Sequence, residues 1–223
     1  MIMYELEFLE NLSKLPVFSL SDLNQVIENR GYAKKFLKRM CSQKKIFKIK
    51  KNFYTFYKDD LLVSTFLVKP SYISSASALS YYRLITQIPN EVFCATQKKS
   101  QKIGKINFFH TNYFFGFKNE EYENFKIMIA EPEKAIIDSF SIIPVSIFEE
   151  AFEEINSDKM MEYLKKIKKS SIVKRVGYIM EKNGFDVYNE LKNLINYKYI
   201  NLDPLLKSKG RKDMKWKIID NIK

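Results

Sequence analysis

The stretch NRGYAKKFLKRMCSQKKIFKIKKNFYTFYK, residues 29–58, holds 11 basic side chains and no acidic one. At roughly 100° per residue, Ala33, Phe36, Leu37, Met40 and Cys41 fall on one face of a helix running from about Tyr32 to Lys44. Lys34, Lys35, Lys38, Arg39 and Ser42 fall on the opposite face. The helix is therefore half core and half cation. Asn29-Arg30-Gly31 before it reads as a turn, with Gly31 suited to a left-handed conformation. After it, Ile46–Tyr57 is β-branched and aromatic around a polar Lys50-Lys51-Asn52 tip, the pattern of a hairpin with a basic turn.

Working outward, Leu6, Leu9, Leu12 and Leu15 make a helical stripe over Tyr4–Leu15, which Pro16 ends. Ser19 or Ser21 can cap a second helix, with Asp22 in its first turn and Leu20, Leu23, Val26 and Ile27 turned inward. Three short helices followed by a basic hairpin predict a winged helix-turn-helix over residues 1–58. In such modules the third helix enters the major groove and the hairpin tip reaches a flanking phosphate or the minor groove. Lys34, Lys35 and Lys38 are expected on phosphates, beside Ser42. Arg39 is the candidate for a bidentate contact to guanine. Lys48, Lys50 and Lys51 would place the wing. The bland alternatives are a solvated lysine-rich face, or a winged helix used for protein contact. Tyr54, Phe56 and Tyr57 read as hairpin core.

The chain of 223 residues is 46% hydrophobic and 15% aromatic, which excludes a disordered protein. Its net charge of +12 divides into +7 for residues 1–58, 0 for 59–140 and +5 for 141–223. A basic balance points to a polyanionic partner, and its position points to the N-terminal segment. Two cysteines, Cys41 and Cys94, make neither a disulfide framework nor a four-ligand zinc site. Both read as core residues. The one histidine, His110, reads as structural or exposed and counts against a metalloenzyme.

The N-terminus lacks the pattern of a signal peptide, and Leu61–Val68 is far shorter than the ~20 residues of a membrane helix. A cytoplasmic protein with no membrane association is expected. Neither GxxxxGK[ST], GxGxxG nor GxSxG occurs. The serines Ser71, Ser74, Ser75, Ser77 and Ser80 suit helix caps and packing. Glu149/Glu153 at i,i+4 suits a solvated face. The reading is thus of a non-enzyme with no catalytic residues, no metal and no cofactor. A nuclease-like enzyme is disfavoured because an acidic metal cluster is missing.

Residues 59–72, with an apolar stretch and then Pro70, read as a linker or connecting helix. Residues 73–223 read as an α+β domain. It begins with a helix of small residues capped by Ser74 or Ser75. Strands follow over Glu91–Thr96, Ile106–His110 and Asn124–Ala130, with a lysine-rich turn over Lys98–Lys105. Pro132 then starts a helix that runs through Phe140. From Ser146 the pattern is helical, and the tail after Pro204 is basic and less regular. The fold class expected is α+β: a winged helix-turn-helix, then a mixed domain with a small sheet and a helical C-terminal part.

Tyr72-Ile73-Ser74-Ser75-Ala76-Ser77-Ala78-Leu79, Leu84–Pro89 and the strand Val92–Thr96, in that order, resemble the AbiEi-like antitoxin family. So do Phe114-Phe115-Gly116, Glu131-Pro132-Glu133-Lys134-Ala135-Ile136-Ile137-Asp138, Lys174–Glu181 with Gly184 behind it, and Asn201-Leu202-Asp203-Pro204. The resemblance covers nearly the whole chain through the order of its motifs. It implies a winged helix-turn-helix that represses its own operon at inverted repeats in double-stranded DNA. It also implies a C-terminal domain that counters a nucleotidyltransferase-like toxin of the AbiEii type in abortive-infection phage defence. The family is described as type IV, opposing the toxin without a stable complex. Lys174 and Arg175 lie in a resembling motif and, with Lys98 and Lys99, form a second candidate basic patch for DNA or a toxin-related partner. Family members often have Ser or Thr where Glu131 stands, so this helix start needs another means of stabilisation. A stand-alone winged-helix regulator and a winged-helix adaptor are the alternative functions.

Overall fold

The computed structural model of the chain describes residues 10–25, 27, 29–207 and 209–222. Residues 10–13 are helical and Leu12 is buried; residues 1–9 of the expected first helix, and Val26, lie outside the described residues. β1 (Phe18–Ser19) leads into α1 (Leu20–Asn24). Ser19 caps α1 in a reciprocal box: its Oγ accepts from the Ser21 and Asp22 N–H groups, and Asp22 Oδ2 accepts the Ser19 N–H at 2.6 Å.

α2 (Arg30–Ser42) is the amphipathic helix of the basic stretch. It starts two residues earlier than expected, because Asn29 accepts the Tyr32 N–H at 3.0 Å and serves as N-cap. Gly31 is therefore a first-turn helical residue, not a left-handed turn residue. β2 (Phe47–Lys50) and β3 (Phe53–Thr55) form the hairpin, with Asn52 at the tip in the left-handed region at φ 66°. The three strands make an antiparallel sheet in the order β1-β3-β2. Phe18, Leu23, Phe36, Leu37, Met40 and Ile46 close a small core between this sheet and the two helices; Tyr54 and Phe56 pack against it, as their hairpin-core reading anticipates.

α3 (Asp60–Leu67) occupies the stretch read as a linker or connecting helix. It is a helix, and Leu62, Val63 and Leu67 are buried in a second, larger core. Asp59 caps it by accepting from the Leu61 and Leu62 N–H groups. Next come β4 (Ser71–Ile73), α4 (Ser75–Tyr81), β5 (Val92–Thr96), β6 (Gln101–Ile103), β7 (Ile106–His110), β8 (Phe117–Tyr122) and β9 (Phe125–Ala130). They build a mixed six-stranded sheet in the order β6-β7-β5-β4-β9-β8. The expected lysine-rich turn over Lys98–Lys105 contains β6, paired antiparallel with β7.

α5 (Pro132–Ser139) packs against α4, and α6 (Val145–Phe148), a 3-10 turn at Glu149–Glu154, α7 (Ser157–Ile167), α8 (Ser170–Lys182) and α9 (Tyr188–Leu191) complete the helical part. The tail expected to be irregular forms a third sheet from β10 (Ile200–Asn201), β11 (Arg211–Asp213) and β12 (Ile218–Asp220), in the order β10-β12-β11. The chain is a mixed α+β protein. Tyr57, at the end of the hairpin, packs on the larger core, where its ring abuts Phe125 edge-on at 5.2 Å; nearby Tyr122 donates to Asp59 at 2.7 Å.

Candidate nucleic-acid interface

Helical phase separates the two faces of α2. Ala33, Phe36, Leu37 and Met40 are buried, while Lys34, Lys35, Lys38, Arg39 and Ser42 are exposed on the other side. Ser42 Oγ donates back to the Arg39 carbonyl at 2.7 Å, and the Arg39 guanidinium lies 5.4 Å from the Phe36 ring centre. Cys41 sits half-buried at the seam. Burial raises its thiol, and the Lys48 charge offsets part of that rise.

The three hairpin lysines part company. Lys48 and Lys51 are exposed, but Lys50 is half-buried. A register irregularity between Lys48 and Lys50 breaks the alternation that would put both on one face. Lys50 Nζ instead donates to the Leu67 carbonyl at 2.9 Å and lies 4.3 Å from the Phe53 ring centre. Burial lowers its ammonium, with Lys98 adding to the effect. Lys50 therefore braces the hairpin against the end of α3 and is withdrawn from the wing contacts read from the sequence. Lys98 and Lys99 are exposed after β5.

In the other half of the second basic patch, Lys174 turns inward. Lys174 is 0% exposed and its Nζ donates to Asn196 Oδ1 at 2.6 Å and to the Lys198 carbonyl at 2.5 Å. Arg175 Nε donates to the Asn201 carbonyl at 2.9 Å. Lys174 is spent inside the protein, whereas Arg175 is half-buried and only its Nε is engaged in this bond.

One charged constellation has no counterpart in the sequence reading. Asp138 accepts from Lys134 through Oδ1, and from Tyr72 at 3.0 Å and Ser74 at 2.8 Å through Oδ2. Lys134 precedes Asp138 by one helical turn, so the i,i+4 spacing was its only signal. The Lys134 side chain is 0% exposed and Asp138 6%, so the cluster is sealed scaffold and not a reaction centre. Gly116, at φ +71°, makes room for it: a Cβ there would lie 3.0 Å from Lys134 Cβ and from the Tyr163 ring. Ser74, at the N-cap position of α4, gives its hydroxyl to Asp138 and not to the helix. Glu131, at the N-cap of α5, likewise makes no cap; Pro132 opens the helix and the Glu131 carboxylate accepts from Lys159 at 2.8 Å and from Tyr163.

A cleft of about 830 Å³ is lined by Tyr57, Asp59, Tyr81, Glu91 and Tyr122 among others. Two of its carboxylates are committed: Asp59 caps α3 and holds Tyr122, and Glu91 accepts from Lys102 and Asn107. Cys94 is buried in β5, and burial pushes its thiol up to about 12. His110 is exposed, with its ring nitrogens 3.3 Å from the Lys98 carbonyl and 3.1 Å from Asn112 Oδ1. Among the described residues no three His, Cys, Asp or Glu side chains converge as a metal site, and no helix is long and apolar enough to cross a membrane.

The fold and this surface define the chain as a mixed α+β protein with a cationic helix face beside a basic hairpin. No protein-family model and no curated protein matches it. Among solved structures it is similar to the RV2827C protein from Mycobacterium tuberculosis, with a TM-score of 0.70 over 99% of this chain and 92% of that one, at 9% identity. At that identity the likeness carries the fold alone.

Proposed function

We propose that the chain is a DNA-binding autorepressor and antitoxin, with residues 1–58 acting as a winged helix-turn-helix on double-stranded DNA. The observation that carries the reading is the segregation on α2. One helix presents Lys34, Lys35, Lys38 and Arg39 on one side and buries its apolar side completely enough to fix the orientation of that row. In this reading α2 lies in the major groove, the lysines hold phosphates, and Arg39 reads a guanine. Lys48 and Lys51 hold the wing against the flanking backbone, and the exposed Lys98 and Lys99 offer further phosphate contacts. Lys50 fixes the angle of the wing without touching DNA.

The reading is tested by gel shift of the full chain on its own upstream DNA. Lys38→Glu/Arg39→Glu is expected to lower affinity at least about a hundredfold, since two contacts are lost and two repulsions created. Both side chains are exposed, so the thermal unfolding profile should stay at wild type. Unchanged affinity would remove α2 from the interface.

The antitoxin part rests on the order of motifs shared with the AbiEi-like family. Its expected result is that co-expression of the full chain restores growth to cells producing an adjacent nucleotidyltransferase-like toxin. No restoration would leave a plain repressor.

A further inference from the structure

Lys174, Arg175 and Ser170 of α8 all grip one segment of chain from the inside. Ser170 Oγ accepts the Asn196 N–H at 2.9 Å, Lys174 holds Asn196 and the Lys198 carbonyl, and Arg175 holds the Asn201 carbonyl. From outside, the Ile200 N–H donates to the Lys217 carbonyl at 3.1 Å. On this pinned backbone the Tyr197 ring is 80% exposed and Tyr199 is 37% exposed. The Lys212 and Lys217 ammonium groups stand 5.5 and 5.6 Å from the Tyr199 ring centre. Residues 192–217 contain eight basic side chains and two acidic ones. Both acids are occupied: Asp203 is buried and accepts the Val145 N–H, and Asp213 accepts the Trp216 N–H. The outer face is therefore aromatic and cationic, with no free acid on that stretch.

We propose that this face binds single-stranded nucleic acid, with Tyr197 and Tyr199 as stacking platforms and Lys212 and Lys217 on the backbone phosphates. Three features select that ligand. Exposed rings gain from a base only when its flat face is accessible, which a single strand offers and a duplex hides. Lys212 and Lys217 flank the Tyr199 ring, whereas lysine is depleted in protein–protein interfaces. The anchored backbone presents the rings with little left to order on binding. The surface is separate from α2 and does not depend on the duplex-DNA reading.

The test is fluorescence anisotropy of the full chain with labelled single-stranded RNA and DNA of one sequence, about twelve nucleotides long, within the range of single-strand sites. The upstream duplex serves as the third ligand. Tyr197→Ala/Tyr199→Ala is expected to weaken single-strand binding about tenfold or more, to leave duplex affinity unchanged, and to leave the buried-tryptophan emission unchanged. A preference for RNA or for DNA then names the source of the strand. The proposal is overturned if the wild type binds neither single strand saturably, as when the face serves a protein partner. It is overturned equally if the tyrosine variant binds as the wild type does, or loses duplex and single strand together.

Discussion

Asp138→Ala is expected to destabilise the protein by about 3–5 kcal/mol, the usual cost of removing one partner from a buried ion pair. The substitution leaves the Lys134 ammonium, fully buried against the Tyr72 and Phe115 rings, with no counter-charge. It also strips the Tyr72 and Ser74 hydroxyls of their common acceptor. Burial already pulls the Lys134 ammonium below the ordinary lysine range, with Asp138 pulling it back up, so removing the carboxylate leaves the unfavourable part alone. At roughly 2–4 °C per kcal/mol for a chain of this size, the midpoint should fall by about 6–20 °C. The double change Lys134→Met/Asp138→Leu should recover most of that loss, because an apolar pair needs no charge compensation. Urea unfolding of the three proteins separates the cases. A single variant within about 1 kcal/mol of wild type, the net worth of an ordinary hydrogen bond, would mean that the pair is not the keystone of α5.

Gly177→Ala is expected to cost about 1–3 kcal/mol, although alanine is the better helix former by about 1 kcal/mol. A Cβ at Gly177 would sit 2.2 Å from two ring atoms of Trp216. The indole cannot step aside. It is 1% exposed, donates its Nε1–H to Glu181 at 2.8 Å, and meets the Tyr188 ring edge-on at 5.2 Å. Trp216 lies between β11 and β12, so its expulsion loosens the small C-terminal sheet from α8. The chain has one tryptophan, which makes the readout specific: the emission should shift to the red while far-UV helicity persists. Gly177→Ala/Trp216→Leu should restore part of the stability. Unchanged emission in the single variant would contradict this packing.

Where the chain announces itself, it does so through periodicity and caps. α2 was legible because its apolar positions recur at helical spacing over thirteen residues, and the hairpin because its lysines interrupt an aromatic run. α1 followed from Ser19 and Asp22, and the α5 start from Pro132. β4 was not legible: it is three residues long, buried throughout, and begins with a serine whose Oγ donates to the Val68 carbonyl, so it shows no alternation. β8 reads FKNEEY, which resembles a loop because an edge strand keeps its charges outside. The C-terminal sheet has strands of two and three residues, and it is held in part by one indole against a glycine, a contact no periodicity reveals.

Site residues divide the same way. The α2 row follows from phase alone. Lys50 departs from it through a strand irregularity that the sequence does not mark. Lys174 is the sharper case, since lysine defaults to solvent. Its place between Val173 and the Gly177 side of α8, both buried, was the available sign that this lysine points inward.

The most direct measurement of the central proposal is the affinity of the full chain for its upstream duplex as a function of salt. Wild type is compared with Lys34→Ala/Lys35→Ala/Lys38→Ala. Log affinity is expected to fall linearly with log salt, and the variant's slope to be shallower by about 0.9 for each phosphate contact the three lysines supply. An identical slope and affinity in the two proteins would contradict α2 as the DNA-contacting helix.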